Sequence, residues 1–153
     1  MSSIRLFAPE PPRRAGNGFL VTDKGELAGH AFILQTFMLT GSGPVSSVLV
    51  CDDRPEVQDA LDDTLRLLPG SPAISNVSHG FELVERYKRN PTDIVLVGIY
   101  RGSTTGAEAV TMLIKSYPDA PVIVFGMAAD SDLLADVFVR GARGLVLWDP
   151  SNP

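Results

Sequence analysis

Two adjacent carboxylates, Asp52 and Asp53, stand where the apolar run Ser47-Val48-Leu49-Val50-Cys51 ends. Paired carboxylates at a strand end suit a hard cation such as Mg²⁺, which takes oxygen ligands. The same two residues can instead cap the following helix and accept hydrogen bonds from nearby backbone amides. A second apolar run, Asp93-Ile94-Val95-Leu96-Val97, leads into Gly98. Glycine has no side chain with which to attack an electrophile. Hydroxyls follow at Tyr100, Ser103, Thr104 and Thr105, but none has an evident base beside it. His79 opens a helix and His30 lies in an N-terminal stretch of different composition; both read as incidental. With no nucleophile–base pair and no phosphate-cradling glycine loop, the chain is expected not to be an enzyme. The lone cysteine, Cys51, excludes an internal disulfide framework and reads as a buried strand residue.

Strands and helices alternate from Ser46 onward. Val48–Cys51 is followed by a helix from Pro55, a residue tolerated in a first helical turn. Val57, Leu61, Leu65 and Leu68 recur at helical spacing before Pro69-Gly70 ends the run. Ala73–Val77 is a short strand, and Gly80–Arg89 a helix with Phe81, Val84 and Tyr87 on one face, stopped by Asn90-Pro91. Ile94–Val97 is uniformly apolar, as befits a strand covered on both faces. Helices are expected at Ala107–Tyr117 and Asp130–Val139, and strands at Pro121–Phe125 and Leu145–Leu147. This alternation predicts an α/β fold, doubly wound, with a five-stranded parallel sheet and helices on both faces.

The acidic pair, the scaffold run Gly141-Ala142-Arg143-Gly144 and this order of elements resemble the receiver domain of two-component response regulators, over Val48 to Pro150. The resemblance implies a flavodoxin-like sheet of strand order 2-1-3-4-5, with the site at the carboxyl ends of strands 1 and 3. It also implies a metal corner at Asp52 and Asp53, and a phosphoryl-accepting aspartate where Gly98 stands. A Ser or Thr hydroxyl is implied where Gly126 stands, and a lysine where Trp148 stands. The aromatic switch position of the fifth strand corresponds to Leu145. Asp52, Asp53, Gly98, Gly126 and Trp148 thus form a degenerate phosphorylation pocket, with metal binding at Asp52 and Asp53 weak or vestigial. Trp148 is expected to fold over volume vacated at Gly98 and Gly126, or else to lie exposed at a partner surface. A fifth helix, implied after the fifth strand, is not apparent before Pro153.

At 153 residues with 44% hydrophobic and 20% charged residues, the chain is expected to bury an ordinary globular core. Residues 1–45 read as an N-terminal extension that is partly disordered or a docking segment, with linker-like prolines and arginines near residues 9–14 and Gly41-Ser42-Gly43-Pro44 at its end. Phe32, Ile33, Phe37 and Leu39 within it offer an apolar docking segment; residues 46–153 form the receiver-like domain. The run Ala31–Leu39 is too short to cross a bilayer, so a cytoplasmic location is expected. From Ser46 onward nine Lys/Arg face fifteen Asp/Glu, which disfavours direct contact with nucleic acid. The resemblance implies a phosphorylation-independent receiver of the helix-turn-helix transcription-factor class. It would act by pairing with itself or with another response regulator, and DNA would be touched by a module absent from this chain. The implied pairing surface comprises Leu133, Val137, Arg140, Arg143 and Trp148. A second reading makes the degenerate pocket a sensor for a small metabolite.

Overall fold

A computed structural model of the chain describes residues 3–6, 18–19, 45–66 and 70–149. Its strands are β1 (Ser3–Leu6), β2 (Gly18–Phe19), β3 (Ser47–Cys51), β4 (Ala73–Val77), β5 (Ile94–Gly98), β6 (Val122–Met127) and β7 (Gly144–Asp149). Between them run helices α1 (Pro55–Leu65), α2 (Gly80–Arg89), α3 (Thr105–Ser116) and α4 (Ser131–Phe138), the last entered through a 3-10 turn at Ala128–Asp130. The central strands lie parallel in the order β4-β3-β5-β6-β7. This is the 2-1-3-4-5 arrangement in a frame that counts β3 as the first strand.

The sheet does not end at β7. β1 lies antiparallel on its outer edge, with Ser3 opposite Asp149 and Leu6 opposite Val146. β2 continues along the same edge in parallel, with Gly18 opposite Gly144. The extension therefore contributes two strands that sequence reading missed, because four and two residues are too few to show periodicity. The apolar segment around Phe32 to Leu39 and the implied fifth helix lie outside the described residues, as does Leu68.

Two apolar layers sandwich the central strands. One joins Leu49, Val95, Val97 and Val124 to Leu83, Val110, Leu113 and Leu134 of α2, α3 and α4. The other sets Val48, Val50, Ile94, Leu96 and Ile123 against Leu65 and Leu61 of α1. β5 is buried along its whole length, which accounts for its unbroken apolar run. In α2 the buried residues are Gly80, Leu83 and Tyr87, while Phe81 is 69% exposed. The expected face was thus rotated: a Cβ on Gly80 would come 3.0 Å from Ala109 Cα, so this bare position sits hard against α3 and turns Phe81 outward. No helix among the described residues is long and apolar enough to cross a membrane.

Candidate functional site

The acidic corner is built by the turn from β3 into α1. Asp52 donates its backbone N–H to the Val77 carbonyl at 3.1 Å, which ties the corner to β4. Its Oδ1 accepts the backbone N–H of Arg54 at 2.9 Å, a local turn typical of aspartate. The Asp52 carbonyl accepts from Gln58 Nε2 at 2.5 Å. Arg54 precedes Pro55, a place where the chain is steered away from helical geometry, and its carbonyl caps the first turn by accepting from Val57 and Gln58. These bonds aim the Arg54 side chain back over the carboxylates.

The resulting network is closed. Arg54 Nε donates to Asp52 Oδ1 at 2.9 Å and its terminal nitrogen Nη2 donates to Asp52 Oδ2 at 2.7 Å. This is the bidentate fork that makes arginine–carboxylate pairs strong and directional. The Asp52 side chain is 0% exposed and that of Arg54 26%. The guanidinium also lies 4.0 Å above the centre of the Tyr100 ring, within cation–π range. Tyr100 Oη donates to Asp53 Oδ1 at 2.6 Å. Arg54 is held protonated above its ordinary range, chiefly by its bond to Asp52. The Tyr100 hydroxyl is pushed up, chiefly because it donates to Asp53. Burial, and then the Asp52 charge, push the Cys51 thiol up to about 12, so it stays protonated and inert at neutral pH.

Gly98 lies at the end of β5 against this network. A Cβ placed on it would overlap Asp52 Oδ2 and stand 3.1 Å from Phe125 Cζ. The space where an acceptor side chain would begin is therefore held by Asp52. Gly126 is equally enclosed: a Cβ there would overlap the Ile99 carbonyl oxygen and come 2.8 Å from Leu134 Cδ1. The volume expected to be vacated at these two glycines is filled by their neighbours. The backbone of Trp148 pairs with Met127 on one side and Ile4 on the other; its side chain lies outside the described residues. Ser103 Oγ accepts from the Thr105 backbone at 3.2 Å, Tyr100 is engaged by Asp53, and Thr104 and His79 precede helices without side-chain caps.

Of the residues expected to form one pairing surface, Val137 does not face outward. Val137 is fully buried in the core beneath α4, since it occupies the inward face of that helix with Leu134. Leu133 packs partly against the same core. Arg140 reaches toward α3, donating to Thr111 Oγ1 at 3.0 Å, and pairs with Asp136 at 2.9 Å. Arg143 donates its backbone N–H to the Val122 carbonyl at 2.7 Å, in the turn that leads into β7. Val139, which sequence reading passed over, is 76% exposed beside them.

Mg²⁺ is the ion that a receiver-like corner implies. Here both oxygens of Asp52 are engaged by a guanidinium and Asp53 accepts from a phenol, so the residues do not fit a dication. Among the described residues no group of three or more His, Cys, Asp or Glu is placed to hold a metal. Arg54 is the site residue that sequence reading missed. The available signal was a cation two positions after an aspartate at a strand end.

A doubly wound sheet in this order, with an acidic corner facing the end of its third strand, defines the receiver class of signalling domain. The response regulator receiver family model matches residues 48–149, and the chain belongs to that family. The transcriptional regulatory protein LnrK of Bacillus subtilis (strain 168) is 30% identical over 104 residues, covering 68% of this chain and 47% of LnrK. The chemotaxis protein CheY of Thermotoga maritima is 26% identical over 107 residues, covering 69% of this chain and 88% of CheY. Among solved structures, a LuxR-family response regulator from Aurantimonas sp. SI85-9A1 aligns with a TM-score of 0.59 at 22% identity, covering 66% of this chain and 72% of that one. The response regulator domain of Thermotoga maritima CheB aligns at 0.58 and 23% identity, covering 67% and 78%. These two establish the fold. The chain spans about half the length of the transcriptional regulators it matches.

Proposed function

We propose that this chain is the receiver of a transcriptional response regulator that works in the cytoplasm by associating with itself or another response regulator, without a phosphoryl mark at the end of its third strand. The observation that carries this is the position of the Asp52 carboxylate. It stands where the acceptor side chain would start, with both oxygens bound by Arg54. Phosphoryl transfer to position 98 needs an oxygen nucleophile, and glycine offers none. Such a domain is a binding module rather than an enzyme.

The transcriptional role is supported by relatives such as LnrK and the nitrate/nitrite response regulator protein NarP of Escherichia coli (strain K12), 27% identical over 109 residues. Contact with DNA falls to a module outside this chain, because the acidic balance from Ser46 onward opposes binding to phosphates. The association surface is centred on the end of α4 and the turn after it, where Val139 is exposed and Arg140 lies, with Leu133 partly buried beside them. Pairing through the edge of β7 itself is disfavoured, since β1 and β2 already occupy it. The metabolite-sensor reading needs open space beside Gly98 and Gly126, and at both positions a single added carbon would collide with its neighbours.

The test is intact-mass spectrometry after incubation with acetyl phosphate, beside light scattering with and without it. An unmodified mass and an unchanged particle size are expected. A stable phosphoester accompanied by a change in size refutes the proposal.

A further inference from the structure

The network around Asp52 holds two carboxylates, one guanidinium and one phenol, and each group finds its partner inside the network. We infer that Arg54 is a tethered replacement for the divalent cation, so that the native corner refuses Mg²⁺ and keeps one electrostatic arrangement. A dication approaching Asp52 would have to displace two charge-assisted hydrogen bonds from one carboxylate. It would also meet the positive guanidinium, which the Tyr100 ring face holds in place and which cannot lose its proton.

Tethering favours the arginine. The guanidinium belongs to a residue two positions from its carboxylate, so its local concentration far exceeds that of any free ion. The carboxylate is fully buried, and a buried charge demands a counter-charge at all times. A bound metal can leave, whereas Arg54 cannot. The enclosure at Gly98 fits the same account, because Asp52 is drawn into the space beside that glycine while its oxygens stay on the guanidinium.

Mn²⁺ is the probe, since it takes the same oxygen ligands as Mg²⁺ and is followed by electron paramagnetic resonance. The whole chain is compared with its Arg54→Gln variant and with the double variant Asp52→Asn, Arg54→Gln. The wild-type chain is expected to leave the free Mn²⁺ signal and its own melting temperature unchanged. Arg54→Gln is expected to bind Mn²⁺ at least about tenfold more tightly and to gain about 4–8 °C at saturation. The double variant should lose both gains. Equal binding by wild type and Arg54→Gln, or a folded Arg54→Gln with no gain, overturns the inference. If Arg54→Gln is unfolded alone, recovery of its circular dichroism on adding Mn²⁺ supports the inference, and failure to recover overturns it. The outcome is separate from the association reading. A phosphoester with a change in particle size, on a chain that ignores Mn²⁺, would end that reading and leave this one standing.

Discussion

Asp52 and Gly98 compete for one volume, which makes a steric prediction at the level of single atoms. Gly98→Ala forces a methyl group into the Asp52 carboxylate and is expected to cost about 1–3 kcal/mol, as overpacking of enclosed sites does. Gly98→Ala combined with Asp52→Ala should cost less than the two single losses added together, because the obstructing carboxylate is gone and Arg54, 26% exposed, can turn toward water. Urea unfolding of the four chains measures the coupling, expected at about 1 kcal/mol or more. Strictly additive costs would show that the two residues do not share space. Gly98 and Gly126 were legible in the sequence as losses, because residue type alone states what chemistry is missing. What fills the space was not legible, since it depends on where a side chain reaches: Asp52 lies beside Gly98 and Leu134 beside Gly126.

At the scale of elements, the turn after β5 and the start of α4 are joined by one side chain. Arg101 donates its backbone N–H and Nε to Asp130, both at 3.3 Å, and its Nη2 to Asp132 at 2.7 Å. These two turns border the corner, so the pair fixes the rim of the site. Arg101 is 61% exposed, and exposed pairs contribute at most about 1 kcal/mol. Arg101→Ala is therefore expected to leave global stability nearly unchanged while amide exchange quickens in residues 101–104 and 128–132. Hydrogen exchange with mass spectrometry reads this directly; unaltered exchange in both stretches would remove the clamp from the account. The elements themselves were well marked. β4 and α2 have the limits expected from Ala73–Val77 and Gly80–Arg89, because Pro-Gly and Asn-Pro punctuate the chain beside them. The rotation of α2 was hidden, since the glycine that sets it records only an absence of side chain.

At the scale of the molecule, the edge of β7 is covered by residues that lie more than 100 positions earlier in the chain. An uncovered edge strand presents free N–H and C=O groups to any other strand. Deleting residues 1–19 is expected to raise the scattered intensity at micromolar concentration and to lower the melting temperature. An unchanged particle size and melting point would show that β1 and β2 are dispensable to the edge. The register of this added strand has a further consequence. With Ser3 opposite Asp149, the first and last described residues emerge at one corner of the sheet, a strand's width apart. A module joined beyond either end would start from the same anchor point.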